Sequence, residues 1–193
     1  MIDLHHGDCL EVLRGPLVAA AFVECNLRTA NTLLEKWAHQ MGPLNRGNKA
    51  GLRCHVLYVG SAPVAVATTS SLIRECVGGG LGYMDRSNTI ELSRLCAGES
   101  WACRVALRLW REAVFPLTAA KWAISYQDAT LHTGNVYRFD GWKRMAYSSS
   151  GTDRRSGRKG RKKWIWAWEA RAAAVTAKAS EPPAQHGLFG EAA

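Results

Sequence analysis

Between Ile90 and Tyr126 the apolar pattern changes period twice, and that change limits what the chain can build. Residues 90–96 form a strand-favouring run, 101–115 carry apolar residues at spacings of three and four, and 121–126 return to a strand pattern. In the middle segment Trp101, Val105, Ala106, Leu109, Trp110 and Ala113 share one face, with Arg104, Arg108, Arg111 and Glu112 on the other. That is an amphipathic helix. Ser100 is expected to cap its start, and Pro116 lies just past its expected end. A strand, a helix and a strand in succession call for an α/β layer arrangement.

The flanking segments extend this pattern. Residues 12–40 read as mainly helical, with Leu27, Ala30, Leu33, Leu34, Trp37 and Ala38 in helical spacing and Gly42-Pro43 as a stop. Residues 45–51 are polar and glycine-bearing, as in a loop. Runs at 54–59 and 64–69, parted by Gly60-Ser61-Ala62-Pro63, predict a hairpin. The glycines at 78, 79, 80 and 82 mark a flexible loop. Residues 130–139 predict a short helix ending at Asp140-Gly141, and 143–148 another strand. Trp164-Ile165-Trp166-Ala167-Trp168 is a final strand with three tryptophans on one face. The expected fold class is therefore α/β, a mixed central β-sheet flanked by helices. A chain of 193 residues holds one domain with a real core and is too short for two ordinary ones. We expect a peripheral extension over 1–20, one domain over 21–170, and a disordered tail rich in Ala, Pro and Gly over 171–193.

Several classes are disfavoured. No apolar run approaches the ~20 residues that span a bilayer. The first residues lack the charged start and apolar stretch of a signal peptide. Six cysteines (Cys9, Cys25, Cys54, Cys76, Cys96, Cys103) are scattered without a Cys-x-x-Cys pair, which argues against a disulfide framework or a zinc ribbon. The expected setting is reducing, the cytoplasm of a bacterial host cell, with no membrane partner. Residues 7–13, Gly-Asp-Cys-Leu-Glu-Val-Leu, are similar to a segment of amino-directed DNA methyltransferases. The Asp/Asn-Pro-Pro-aromatic tetrapeptide those enzymes need is missing, so that function is rejected. His5-His6 has no third ligand nearby to make a metal site.

The net charge of +9 is local. Residues 1–153 carry 16 Lys/Arg against 13 Asp/Glu. The basic hairpin loop expected at 151–163 holds Arg154, Arg155, Arg158, Lys159, Arg161, Lys162 and Lys163, with no acid after Asp153. Clustered cations repel one another on an inert surface, and a phosphate backbone relieves the repulsion with salt-dependent affinity. These seven residues are the nucleic-acid-binding candidates, with double-stranded DNA as the partner. A solvated hairpin tip is the plainer alternative.

Residues 124–142 are the richest in chemistry, setting Asp128, His132 and Tyr137 within ten residues past a strand end. Ligands collect outside strand carboxyl ends in open α/β sheets. Asp and His supply a general base, and Tyr an acid for a leaving thiolate or a donor to an oxyanion. On spacing alone, Asp128 capping a helix and Tyr137 and Trp142 filling the core is the competing reading. Tyr126 and Trp142 are candidates to stack on a ligand.

The run Tyr126-x-Asp128…His132-x-Gly134-x-x-Tyr137-Arg138…Gly141-Trp142 resembles the C-terminal signature of the Mom family, phage and prophage proteins that convert adenine in DNA to a carbamoylmethyl-bearing base. Residues 91–96 and the helix after them are similar to that family's preceding strand and donor loop, and 27–43 resembles the start of related phage proteins, with His39 where those carry a histidine. The resemblance implies a GNAT (acyl-CoA N-acyltransferase type) fold, in which the sheet splays around an acyl donor. It implies a transferase that protects phage DNA from restriction by acting on the exocyclic amine of adenine, with the base flipped from the stack. Asp128, Tyr137, His132 and His39 are its catalytic candidates. Arg94, Gly98 and Ser100 are its cofactor-binding candidates, where amides at a helix start would cradle a pyrophosphate. The short 94–100 segment lacks the usual acetyltransferase phosphate loop, and Glu99 sits there. The donor thus stays open between acetyl-CoA and another acyl or aminoacyl donor. Iron is compatible with His and Asp, though no ligand spacing demands it. Oligomeric state also stays open, a homodimer included. Two other functions remain: an N-acyltransferase acting on a small-molecule or protein amine, and a non-catalytic DNA-binding protein.

Overall fold

Seven strands form one mixed sheet, described in a computed structural model over residues 19–45, 51–149 and 162–170. In chain order they are β1 (Ala20–Cys25), β2 (Arg53–Val59), β3 (Ala62–Ser71), β4 (Thr89–Ala97), β5 (Trp122–Asp128), β6 (Lys143–Ser149) and β7 (Lys162–Glu169). Their order across the sheet is β1-β2-β3-β4-β5-β7-β6. β4 and β5 run parallel and every other neighbouring pair is antiparallel. Among the described residues, three α-helices accompany them: α1 (Leu27–Lys36), α2 (Ala102–Leu109) and α3 (Asn135–Phe139). The expected extension and tail lie outside the described residues beyond Ala19 and Ala170, as do 46–50 of the expected loop and 150–161 of the basic hairpin.

Helices cover both faces of the sheet. Ala30, Leu33 and Leu34 of α1 pack on Cys54, Val56, Val66 and Cys96. On the other face Ala102 and Ala106 of α2 pack on Leu57 and Ala65. Leu107, Trp110, Val114, Phe115, Tyr137, Trp142 and Trp166 continue that layer as the largest apolar cluster. Sandwiching leaves the middles of β2 and β3 buried at consecutive residues, since neither face meets water there. The loop after β3 folds Leu72, Val77, Leu81 and Met84 over Ile124, Ile165 and Ala167.

Four expectations change. Residues 20–25 are not helical but an edge strand on β2, because Phe22 and Val23 favour the pleat and Asn26 caps α1 by accepting the Thr29 amide at 2.8 Å. Ser100 does not cap α2: the cap position is Trp101, which makes no side-chain cap bond. The helix expected over 101–115 is not uniform. It loosens and then tightens, with a π-helical turn at Trp110–Val114 and a 3₁₀ turn at Phe115–Thr118 that admits Pro116. The extra residue in the π turn swings Arg111 inward, so that it is buried instead of sharing the solvent face. There it forms a two-pronged bond to Asp140 (2.7 and 3.2 Å) beneath the Trp168 ring (4.1 Å). α3 begins at Asn135 and not at Thr130, because Gly134 just before it has φ +77.

Candidate active site

The parallel pairing of β4 with β5 lasts three residue pairs, Thr89↔Trp122, Ile90↔Ala123 and Glu91↔Ile124. Beyond Glu91 and Ile124 the strands part, and a cavity of about 1140 Å³ opens between them. Its β4 wall is Glu91 to Leu95, and its β5 wall is Ser125 to Asp128. Most of the remaining lining comes from the segments 39–45, 72–78 and 131–137. Two strands that diverge inside a covered sheet make the crevice in which α/β folds hold ligands.

A bulge shapes the β4 wall. Register with β3 slips so that Thr68 pairs with Arg94 and Thr69 with Leu92, leaving Ser93 extra. The slip reverses the alternation of side chains. Ile90 and Leu92 face α2, yet after the bulge Leu95 faces α2 while Cys96 packs under α1. Arg94 accordingly turns toward the segment after α1, where Nε donates to the Gly42 carbonyl oxygen at 3.3 Å and Nη1 to that of Ser93 at 2.8 Å. Ser70 and Ser93 hydroxyls hydrogen-bond each other. Glu91, just before the bulge, is buried at 8% exposure.

The β5 wall is backed by aromatic packing. Tyr137 stacks on Trp166 (5.6 Å) and meets the edge of Trp142 (5.6 Å). Its hydroxyl lies 2.8 Å from Ser125 Oγ. Burial pushes the Tyr137 phenol up to about 12, with the Ser125 bond pulling it back toward its ordinary value. Gln127 ties the following loop down: Oε1 accepts from Trp166 Nε1 at 2.8 Å, and Nε2 donates to the His132 carbonyl oxygen. A side chain on Gly134 would meet Gln127 Oε1 at 2.5 Å, so the close approach needs glycine.

The cavity brings together His39, Arg94, Asp128, His132, Tyr137 and Lys163 from distant parts of the chain. Asp128 Oδ1 accepts from the Thr130 amide (2.9 Å) and hydroxyl (2.6 Å), shaping the turn after β5. His39 Nδ1 accepts from the Met41 amide at 3.2 Å. His132 is exposed at the rim. Gly98 and Ser100 lie outside the cavity. The Gly98 amide donates to the Val64 carbonyl oxygen, and a side chain there would strike Trp37 at 2.6 Å. The Ala102 and Arg104 amides are taken by Glu99 and Trp101 carbonyls. The Gly98, Ala102 and Arg104 amides at the α2 start are thus engaged by carbonyls within the protein. Trp142 is core, donating to Asp140 Oδ2 at 3.1 Å, whereas Tyr126 does line the cavity. Of the basic candidates, Arg154, Arg155, Arg158, Lys159 and Arg161 lie outside the described residues. Lys162 is exposed at the start of β7, and Lys163 stands 5.7 Å from the Tyr126 ring centroid.

Sequence reasoning missed Glu91 and Ser125. The one available signal for Glu91 was a carboxylate inside a strand otherwise built to be buried. Cys103 also lines the cavity, but burial pushes its thiol up to about 11, which disfavours a thiolate nucleophile. Among the described residues no cluster of three or more His, Cys, Asp or Glu could hold a metal, and no helix is long and apolar enough to cross a membrane.

No protein-family model matches the sequence, and no curated protein matches it significantly. Solved structures match its fold. A GNAT-family protein from Desulfovibrio desulfuricans aligns at TM-score 0.52 and 16% identity, over 78% of this chain and 99% of its own. A ribosomal-protein-alanine N-acetyltransferase from Escherichia coli aligns at 0.56 and 11% identity, over 82% and 98%. A Salmonella typhimurium protein solved with acetyl-CoA as its cofactor aligns at 0.55 and 13% identity, over 82% and 99%. With its sheet splayed between β4 and β5 and helices on both faces, the chain has a GNAT-like α/β fold.

Proposed function

We propose that the protein is an N-acyltransferase that moves an acyl group from a thioester to an amine in the β4–β5 cleft. One observation carries this reading: the fork brings a buried carboxylate, Glu91, and a buried phenol, Tyr137, to the walls of one cavity. A thioester supplies the acyl carbon and a thiolate leaving group. Glu91 takes the proton that the amine sheds as it bonds to the acyl carbon, and Tyr137 gives its hydroxyl proton to the departing sulfur. Burial raises the phenol and so keeps its proton in place at neutral pH until the sulfur departs.

For the acceptor we favour the exocyclic amine of adenine in DNA. Lys163 on the cavity wall is continuous in sequence with the basic run from Arg154, so a phosphate backbone bound there would run past the cleft. Arg74 and Arg94 add cations to the cavity lining. A small-molecule or protein amine is the second reading, favoured by the E. coli neighbour, whose name gives it a protein alanine as substrate.

Two measurements test this. Plasmid DNA from bacteria expressing the chain, digested to nucleosides, should contain a deoxyadenosine of raised mass. The purified chain should release free thiol from acetyl-CoA over plasmid DNA, spermidine or a peptide with an N-terminal alanine. Thiol release over an amine but unmodified DNA would select the second acceptor. A folded, DNA-binding chain with neither activity would overturn acyl transfer and leave the non-catalytic function.

A further inference from the structure

One side chain spans the gap where β4 and β5 part. Ser125 is the first β5 residue beyond the last strand pair, Glu91↔Ile124, and it is buried. Its hydroxyl lies 3.0 Å from the Leu92 carbonyl oxygen and 2.8 Å from the Tyr137 hydroxyl. A carbonyl only accepts, so the one serine proton goes to Leu92. Tyr137 is then the donor in the second bond, and its proton points at Ser125 Oγ. With both bonds made at once, donation runs from Tyr137 to Ser125 to Leu92.

This arrangement serves two ends. Ser125 gives the Leu92 carbonyl a donor at the point where β5 no longer runs beside β4 in register. It also sets the angle of the Tyr137 hydroxyl, whose ring is clamped by Trp166 and Trp142 but whose proton is otherwise free to rotate. We infer that Ser125 is a positioning residue for Tyr137, aiming the phenol proton at rest and donating to the phenolate once that proton has left. The inference rests on the acyl-transfer reading above.

In the transfer, the bond from nitrogen to the acyl carbon forms and the bond from carbon to sulfur breaks. Glu91 receives the amine proton. The Tyr137 proton turns from Ser125 to the sulfur, and the Ser125 hydroxyl turns from Leu92 to the phenolate. Water later takes the proton from Glu91 and restores one to Tyr137, so the chain ends as it began. A donor at hydrogen-bond distance stabilises a buried phenolate far more than a neutral phenol.

The test uses the full chain labelled with carbon-13 at the tyrosine ζ carbon, as wild type, Ser125→Ala, Ser125→Cys and Ser125→Thr, with Tyr137→Phe to identify the Tyr137 resonance. Ser125→Ala should move that resonance. It should also lower kcat for thiol release from acetyl-CoA by about 10- to 100-fold while KM stays within about twofold. Ser125→Thr, which keeps the hydroxyl, should restore both. Ser125→Cys keeps the volume with a weak donor and gives the same readouts if the alanine variant does not fold. An unmoved resonance, or an undiminished kcat, in the variants lacking the hydroxyl would overturn the inference. If the wild-type chain releases no thiol, acyl transfer fails separately, and the resonance alone decides the positioning role.

Discussion

The two walls of the cleft are built in different ways. The β4 wall bends: a bulge at Ser93 reverses side-chain direction, and polar groups at Glu91, Ser93 and Arg94 follow one another along it. The β5 wall runs in unbroken register with β7 and is backed by Tyr137, Trp142 and Trp166. On the first wall the backbone is distorted to aim side chains. On the second the backbone is straight, and rigid aromatic packing fixes a single phenol. On the proposed acyl transfer, the base would sit on the wall that strand geometry can move and the acid on the wall that packing holds still.

The walls should therefore fail differently. Glu91→Gln and Tyr137→Phe should each lower kcat for thiol release by about 10²–10⁴-fold with the fold intact. With spermidine as the acceptor, the loss at Glu91 should ease as pH rises and free amine accumulates, whereas the Tyr137 loss should not. Rate–pH profiles of both variants beside wild type check this, and equal profiles would erase the distinction between the walls.

Next comes the support of the β5 wall. Arg111 and Asp140 are both buried and bonded on two prongs, with Arg108 adding a contact to Asp140 at 3.5 Å. Asp140→Ala removes both prongs and leaves the buried Arg111 only the exposed Glu112 at 2.6 Å, and should cost up to about 3–5 kcal/mol in urea unfolding. Replacing both partners by Met and Leu should cost clearly less, and an equal cost would mean the pair itself is not what matters.

Gly134→Ala should cost about 1–3 kcal/mol, since φ is +77 and the new methyl would press on Gln127 and Trp166. The matching change at Gly42, which has positive φ and open space around it, should cost less. Urea titrations of both variants separate backbone strain from the clash.

The smallest effect lies far from the fork. His55 in β2 is buried against Phe22, and burial holds its imidazole below the ordinary value of 6.5. The unfolded chain then binds more protons than the folded one, so stability rises with pH. It should be fully present above about 6.5 and be lost as pH falls from there toward the lower folded value. Tm between pH 7.5 and 5.5 should drop less in His55→Leu than in the wild type.

What the residues disclosed in advance follows the same division. The β5 side was legible because its parts lie close along the chain: a strand, a glycine, a tyrosine and a tryptophan alternation within some forty residues. The β4 side was not, because Glu91 matters only once a partner strand leaves its flank, and strand alternation cannot show where a neighbour departs. The bulge at Ser93 has no composition of its own. Arg111 was misplaced for a related reason, since regular helical spacing cannot anticipate a π turn. The edge strand at Ala20–Cys25 was hidden inside a stretch whose second half is truly helical.

The claim that the β4–β5 fork is the acyl-transfer site is tested most directly by backbone-amide NMR of the full chain titrated with acetyl-CoA. Amides of Leu92 to Leu95 and Ser125 to Asp128 should shift together and saturate with one dissociation constant. Saturable shifts confined to other strands, or no shift at either wall, would contradict it.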